Sequence, residues 1–251
     1  MLKEERYDKI LELLETNQYL SAQKLSKLLF VSLPTIRRDL AELQRRELII
    51  RNHGGAKKYR DEHGVIPIDF RKTVNLKEKK DLCSVASSLI NDGDVIFLDA
   101  STTILQMADF IEPKSTISIV TNSIPLSLLL HKKGIKTYCT GGELQQNSMC
   151  YAGSFAQDFI TNFNFDKMFF SSRGVNDNGV ITDTSLPETL LRKAVLKQTK
   201  ESIFLCDSSK FSLSADYNLT ELNNVSAIIT NSKDIYSFVS SKFRGTIHQV
   251  K

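Results

Sequence analysis

Residues 31–40 read Val-Ser-Leu-Pro-Thr-Ile-Arg-Arg-Asp-Leu, and this stretch decides the fold of the first quarter of the chain. Pro34 falls where the first turn of a helix is expected, and its missing N–H costs nothing there. Ile36, Leu40 and Leu43 recur at helical spacing, so they share one face. The stretch therefore predicts a short helix that packs this face against a small core.

The outward face of this predicted helix is small and cationic. At about 100° per residue, it is centred on Pro34, Arg38, Ala41 and Arg45, with Thr35 and Arg37 on its flanks. Arginine can pair bidentately with guanine, and small residues permit close approach, so such a face fits a DNA major groove. Asp39 lies nearer the core side, where we expect it to be an ion-pair or capping partner.

The preceding residues complete a helix-turn-helix. Apolar residues between Leu2 and Leu14 recur at three- and four-residue spacings, which predicts one amphipathic helix. Ser21 is a good N-cap for a short second helix, residues 30–31 form a tight turn, and Ser32 caps the third helix.

A basic hairpin is predicted after the third helix. Residues 48–51 have the pattern of a strand, residues 53–55 that of a turn and residues 56–59 that of a return strand. Such a wing suits phosphates or the minor groove. An isolated Arg-Arg pair would more often be a solvated helix face, but a three-helix unit with a basic wing favours DNA. The predicted DNA-binding residues are Ser32, Pro34, Thr35, Arg37, Arg38, Arg45, Arg51, His53, Lys57 and Lys58.

The charge distribution supports this interpretation. Residues 1–60 contain 13 Lys/Arg and 8 Asp/Glu, a net charge of +5, whereas the remaining residues have 20 and 21, a net charge of −1. A polyanionic partner is therefore expected for the first segment only.

Several other classes are disfavoured. No secretory signal and no apolar run long enough to cross a bilayer is evident, which predicts a cytoplasmic protein. The four cysteines and four histidines are scattered, so we expect no metal site and no cofactor. Both Gly-x-Gly-x-x-Gly and the Walker phosphate loop are missing, which argues against a dinucleotide or ATP.

The sequence predicts three segments. Residues 1–59 form the winged helix-turn-helix domain, residues 60–75 mix charge, Gly and Pro as a linker, and residues 76–251 form a larger α/β domain. Residues 69–71 are expected to dock the linker.

The larger domain alternates apolar strands with helices. Strands are predicted at 95–99, 116–121, 135–140, 167–171, 202–207 and 227–230, and helices at 77–90, 103–111, 124–131, 186–199 and 233–242. This alternation predicts a largely parallel sheet with helices on both faces.

Ligands of such sheets bind beyond the carboxyl ends of the strands, which here are rich in small polar residues. Hydroxyls and free N–H groups at a helix start suit a phosphate, and Arg173 and Lys210 would neutralise its charge. Asp99, Asn122 and Asp207 would bind hydroxyls. The predicted effector-binding residues are Asp99, Ser101, Thr102, Thr103, Thr121, Asn122, Gly141, Gly142, Arg173, Asp207 and Lys210.

Each of these clusters also has a purely structural interpretation. Serine and threonine at strand ends can be helix N-caps, and residues 141–142 can be a simple turn. Glu188 stands three residues after Ser185, so it fits a capping box as well as a site residue.

Two sets of motifs resemble the DeoR family of bacterial sugar-metabolism regulators. Its DNA-binding signature is similar to residues 31–32, 35–40 and 53–56, and its effector domain to residues 91–94, 98–99, 102–103, 121–122, 141–144, 166–167 and 207–211. The resemblance implies a homo-oligomeric repressor, a dimer or tetramer, that releases operator DNA when a phosphorylated sugar binds. It also implies a Rossmann-like effector domain similar in fold to ribose-5-phosphate isomerase. Ser101 stands where the family usually has Gly, so a side chain there would either crowd a ligand or add a hydroxyl contact.

Two rivals remain. A catalytic phosphosugar isomerase needs a positioned base, commonly a carboxylate, but residues 171–176 contain no acid, and only Asp177 and Asp183 are near in sequence. We therefore expect no catalytic residue. A DNA-architectural protein without a ligand is the other rival.

Overall fold

The computed structural model describes residues 2–17, 19–45, 48–52, 54–58, 68–72, 74–113 and 116–250. The chain divides into two units, Met1–Val74 and Asn75–Lys251. Among the described residues, no helix is both long enough and apolar enough to span a bilayer.

The first unit is a winged helix-turn-helix. Its elements are α1 (Lys3–Thr16), β1 (Leu20–Ser21), α2 (Ala22–Leu29), α3 (Leu33–Arg45), β2 (Ile49–Asn52), β3 (Gly55–Lys58) and α4 (Ile68–Arg71). The three strands form an antiparallel sheet in the order β1-β3-β2. The predicted wing is the hairpin of β2 and β3.

The turn between α2 and α3 is made by local hydrogen bonds. Ser21 Oγ accepts from the backbone N–H of Lys24 at 3.1 Å, which confirms it as the cap of α2. Phe30 ends α2 in the left-handed region at φ 55°, and Ser32 Oγ accepts from the N–H of Thr35 at 3.4 Å. These bonds fix the end of α2 and the start of α3.

The predicted inner face of α3 is confirmed. Ile36, Leu40 and Leu43 are at most 1% exposed and belong to one apolar core with residues of α1 and α2, such as Ile10 and Leu25. Because the inner face is fixed by packing, the opposite face of α3 points away from the core.

The second unit is built on a seven-stranded parallel sheet, as predicted. Its main elements are α5 (Leu76–Ser88), β4 (Val95–Leu98), a 3-10 helix (Ile104–Asp109), β5 (Ser118–Thr121), α6 (Ile124–Lys132), β6 (Thr137–Cys139), β7 (Glu143–Gln145), β8 (Cys150–Ala152), α7 (Ser154–Ile160), β9 (Phe165–Phe170), β10 (Gly174–Val175), β11 (Val180–Asp183), α8 (Leu186–Leu196), β12 (Thr199–Cys206), β13 (Tyr217–Glu221), β14 (Ala227–Thr230) and β15 (Thr246–Gln249). The sheet order is β15-β14-β12-β9-β4-β5-β6, beside a small sheet β10-β11-β13 and the hairpin β7-β8.

Both faces of the large sheet are covered. Alternate residues of β4 belong to different cores: Leu98 packs in the core of α5 and α6, and Phe97 in the core of α7 and α8. This double burial explains why the strands are continuously apolar.

The sheet has one topological switch point. β4 pairs with β5 on one side and with β9 on the other, so the chain leaves β4 in one direction and returns on its opposite side. The crevice at the carboxyl ends of β4 and β9 is where ligands of open α/β sheets bind.

Some predicted elements are wrong. Residues 233–242 contain only a 3-10 turn, Ile235–Ser237, because the segment is rich in serine and Ser237 Oγ bonds to the carbonyl of Asp234. The helical segment predicted at residues 103–111 is a 3-10 helix, Ile104–Asp109. Helix α7, strand β15, the hairpin β7-β8 and the small sheet were not predicted, and all of these elements are short.

Candidate functional site

The outward face of α3 is exposed. Pro34, Arg37, Arg38 and Ala41 are all exposed, at the places where the helical wheel set them. Within the described part of the chain, neither Arg37 nor Arg38 forms an ion pair. Both guanidinium groups are therefore available to duplex DNA.

The core side of α3 carries an ion pair. Asp39 is 3% exposed, and its carboxylate accepts from Arg6 of α1 through both Nε and Nη2, the latter at 2.9 Å from Oδ1. The prediction that Asp39 is an ion-pair partner is confirmed. The pair fixes α3 against α1 and so orients the recognition face.

The wing presents cations to solvent. Arg51 and Lys57 are exposed, and the hairpin reverses at Gly54, whose φ of 85° suits glycine. His53 and the side chains of Arg45 and Lys58 lie outside the described residues, so their predicted DNA contacts remain predictions.

The strand-end site of the second unit is defined by the residues after β4, β5, β9 and β12. Asp99 sits at the switch point and is 1% exposed. Its Oδ1 accepts from the N–H of Ser101 at 2.8 Å. Its Oδ2 accepts from the N–H of Ser171 at 3.2 Å and also lies 3.3 Å from Arg192 Nε. Burial raises the pKa of Asp99, against the opposing effects of Arg192, Ser101 and Ser171. Asp99 therefore joins the ends of β4 and β9 together.

Three buried polar atoms of the strand-end site have no hydrogen-bond partner in the described structure. They are Thr103 Oγ1, Asn122 Oδ1 and Asp207 Oδ2, and each residue is at most 4% exposed. Buried polar groups rarely stay unsatisfied, because each costs about 1–3 kcal/mol. All three had been predicted as effector-binding residues. Their placement indicates a site for a ligand that brings its own donors.

Two ammonium groups also lie at the strand-end site. Lys79 Nζ donates to Thr102 Oγ1 at 3.1 Å, and Lys210 Nζ donates to Ser171 Oγ at 2.7 Å. Burial raises the pKa of Asp207, but Lys210, Ser209 and Lys79 outweigh it and leave that pKa below its usual value. Lys79 was not predicted as a site residue, because it stands among the charged residues of a segment with the pattern of a solvated helix.

A buried charge cluster supports the site from α8. Arg192, 5% exposed, lies 2.7 Å from Asp183 Oδ2 and 3.3 Å from Glu188 Oε2, in addition to Asp99. Burial lowers its pKa, but the three carboxylates more than compensate and raise it, so the guanidinium stays charged. Sequence reasoning missed Arg192, since nothing in Leu-Arg-Lys distinguishes a buried arginine from an exposed one.

Glu188 has a structural role and a place in this cluster. The N–H of Glu188 donates to Ser185 Oγ at 3.4 Å, while its carboxylate accepts from Ser148 at 2.8 Å and from Arg192. Ser185 therefore caps α8, and the side chain of Glu188 ties the β7-β8 turn to that helix.

Other predicted site residues have local roles. Ser101 Oγ accepts at 3.2 Å from the N–H of Ile104, the first residue of the 3-10 helix. Thr121 Oγ1 accepts from the N–H of Ser123. Gly142 has φ 112°, and a Cβ there would lie 2.6 Å from the carbonyl oxygen of Ala152. Arg173 is half-buried and already has a partner, and no metal-binding group of acids, Cys and His is found among the described residues.

The chain combines a winged helix-turn-helix with a parallel sheet whose strand ends carry unsatisfied polar atoms. This combination defines a ligand-responsive DNA-binding regulator. Residues 6–61 match the DeoR-like helix-turn-helix domain, and residues 74–232 match the DeoR C terminal sensor domain. The chain belongs to the DeoR family of transcriptional regulators.

Two curated relatives and one solved structure are similar to this chain. The chain is 32% identical to the uncharacterized HTH-type transcriptional regulator YulB of Bacillus subtilis, over 92% of this chain and 90% of that protein. It is 31% identical to the lactose phosphotransferase system repressor of Staphylococcus epidermidis, over 94% of each. Among solved structures, ribose 5-phosphate isomerase A from Methanocaldococcus jannaschii aligns with a TM-score of 0.40 and 16% identity, over 55% of each chain.

Proposed function

We propose that this protein represses a carbohydrate-metabolism operon, and that a phosphorylated sugar bound at the strand-end site releases it from DNA. The observations that carry the proposal are the three unsatisfied buried atoms of the strand-end site and the two ammonium groups bound to Thr102 and Ser171 of the same site. Asn122 Oδ1 and Asp207 Oδ2 can only accept, so they select hydroxyl donors, while Lys79 and Lys210 suit a phosphate. A polyol phosphate satisfies both requirements.

The DNA-binding step follows from α3 and the wing. A symmetric homo-oligomer, a dimer or tetramer, would set winged helices on repeated half-sites in the bacterial cytoplasm. A sugar phosphate that binds one arrangement better than the other changes operator affinity through a coupling free energy. The lactose phosphotransferase system repressor is a relative whose name fits this role.

We further propose that the strand-end site does not catalyse isomerisation. Asp99 and Asp183 are both held by Arg192, and Asp177 is exposed on a turn, so none of these three carboxylates is placed as a base. A turnover assay with pentose and hexose phosphates tests this, and measurable isomerisation that disappears in Asp99→Asn would overturn it.

The regulator proposal is tested by measuring operator affinity with fructose 1-phosphate, fructose 6-phosphate, glucose 6-phosphate and ribose 5-phosphate. A compound that binds must also stabilise the fold, by about 2.7 kcal/mol at a hundredfold excess over its Kd. If none of a broad panel of phosphorylated metabolites changes either quantity, the protein has no sugar-phosphate effector.

Arg38→Ala is expected to weaken specific operator binding by about 1–3 kcal/mol, roughly 5- to 150-fold, because Arg38 is centred on the outward face of α3. Lys57→Ala in the wing is the comparison: it should lower affinity on all sequences and reduce the salt slope by about one. Fluorescence anisotropy over a salt series measures both. Unchanged operator affinity in Arg38→Ala would show that another face of α3 enters the groove.

Asp207→Asn is expected to reduce sugar-phosphate affinity about tenfold or more, because a hydrogen bond to a charged group contributes about 1.5–3 kcal/mol. The exposed Asp216→Asn is the matched control. Isothermal titration with the best compound of the panel measures both variants. Equal affinities would place the hydroxyl-binding region elsewhere.

A further inference from the structure

Helix α5 begins where the second unit begins. Val74 is the last residue of the first unit and Asn75 the first of the second. Asn75 has a left-handed backbone with φ 51°, and its side chain does not cap α5. Its Nδ2 donates instead to Asp207 Oδ1 at 3.2 Å and to Ser209 Oγ at 3.0 Å. The chain therefore enters the second unit through a residue bound to the strand-end site.

A second bond joins α5 to the same site one turn later. Lys79 is 4% exposed, and its Nζ reaches Thr102 Oγ1. Desolvating an ammonium is costly unless acceptors or opposite charge surround it. Lys79 acts electrostatically on Asp207, whose pKa burial raises but Lys210, Ser209 and Lys79 together lower. Lys79 is thus a buried cation facing two of the predicted effector-binding residues.

Asp207 connects the two ends of this arrangement. Its Oδ1 accepts from Asn75 and from Ser209, whereas its Oδ2 is buried and has no partner in the described structure. A ligand hydroxyl that donates to Oδ2 would act on the same carboxylate that holds Asn75. Occupancy of the site and the position of Asn75 are therefore linked through one rigid group.

We propose that α5 is the relay of this regulator: Lys79 binds the anionic group of the effector, and Asn75 transmits the position of Asp207 to the residue where the two units join. The relay rests on the proposed function and adds the regulation of its site. Coupling requires that the protein have two states and that the effector bind one of them better. In the proposed relay, the bond between Asn75 and Asp207 distinguishes these two states.

Asn75→Gly tests the transmission step. Glycine adopts φ 51° without strain, so the substitution removes the amide and leaves the backbone unhindered. Among the four sugar phosphates named above, the probe is the one that most changes wild-type operator affinity. We expect its Kd to stay within about threefold in Asn75→Gly, while its effect on operator affinity falls at least fivefold. Lys77→Ala, an exposed position on the same helix, should change neither quantity.

Lys79→Gln tests the anion-binding step. We expect probe affinity to fall about tenfold or more. A single cooperative thermal unfolding transition of the variant is the evidence that it folds. Stabilisation by inorganic phosphate, followed by thermal denaturation, should decrease in parallel.

The outcomes separate the two levels of the proposal. A probe that acts on Asn75→Gly as strongly as on the wild type, or binds Lys79→Gln equally well, overturns the relay and leaves the sensor intact. A wild-type protein whose operator affinity responds to none of the four probes contradicts the proposed function, and the relay with it.

Discussion

Arg192→Met is expected to destabilise the second unit by about 3–5 kcal/mol, the cost of breaking a buried ion pair from one side. Its guanidinium serves Asp99, Asp183 and Glu188 at once, and methionine would leave all three carboxylates buried without it. For a unit of this size, the loss corresponds to a decrease in Tm on the order of 10 °C.

Thermal denaturation of Arg192→Met beside Lys193→Met measures this effect. Lys193 is exposed on the same helix, so its replacement should change Tm little. Adding Glu188→Gln to Arg192→Met removes one of the three carboxylates left without the guanidinium. It should restore part of the lost stability, because the two positions are coupled. Equal Tm values for the two methionine variants would show that the cluster contributes nothing to stability.

Arg6→Met is expected to have the second largest effect, about 3 kcal/mol on the first unit. Asp39 would remain as a nearly buried carboxylate without its guanidinium partner, and α3 would lose its bond to α1. Operator affinity should fall on every sequence, since the whole recognition helix loses its orientation.

Hydrogen exchange of the amides in α1 and α3 is the direct measurement, because it reports on the first unit alone. Lys9→Met, an exposed position on α1, is the matched control and should keep wild-type protection. Wild-type protection in Arg6→Met would mean that apolar packing by itself orients α3.

Local patterns predicted much of the architecture. Ile36, Leu40 and Leu43 face the core because helical periodicity follows from backbone geometry, and the outward position of Arg38 follows from the same rotation. The continuously apolar strands around Phe97 predicted a parallel sheet covered on both faces. The weak elements failed for a common reason: segments such as 235–237 and 154–160 are too short for periodicity to separate them from turns.

The strand-end site was predicted in outline, since polar residues after parallel strands must meet at one edge of the sheet. Asn122 and Asp207 lie at this edge, each with a buried oxygen that has no partner in the described structure, and their role in binding stays a prediction. Lys79 and Arg192 were not, because their environment is created by residues distant in sequence.

By itself, the sequence determined the helix-turn-helix, its outward arginines, the parallel sheet and the edge at which a ligand would bind. These properties follow from the spacing of residues along the chain, which the sequence gives directly. Only the tertiary structure decided that Arg192 contacts three carboxylates, that Lys79 is buried, and that Asn75 donates to Asp207, which lies 132 residues away. Burial and ion pairing depend on which distant segments contact each other in the fold, and these contacts cannot be deduced from local spacing or composition.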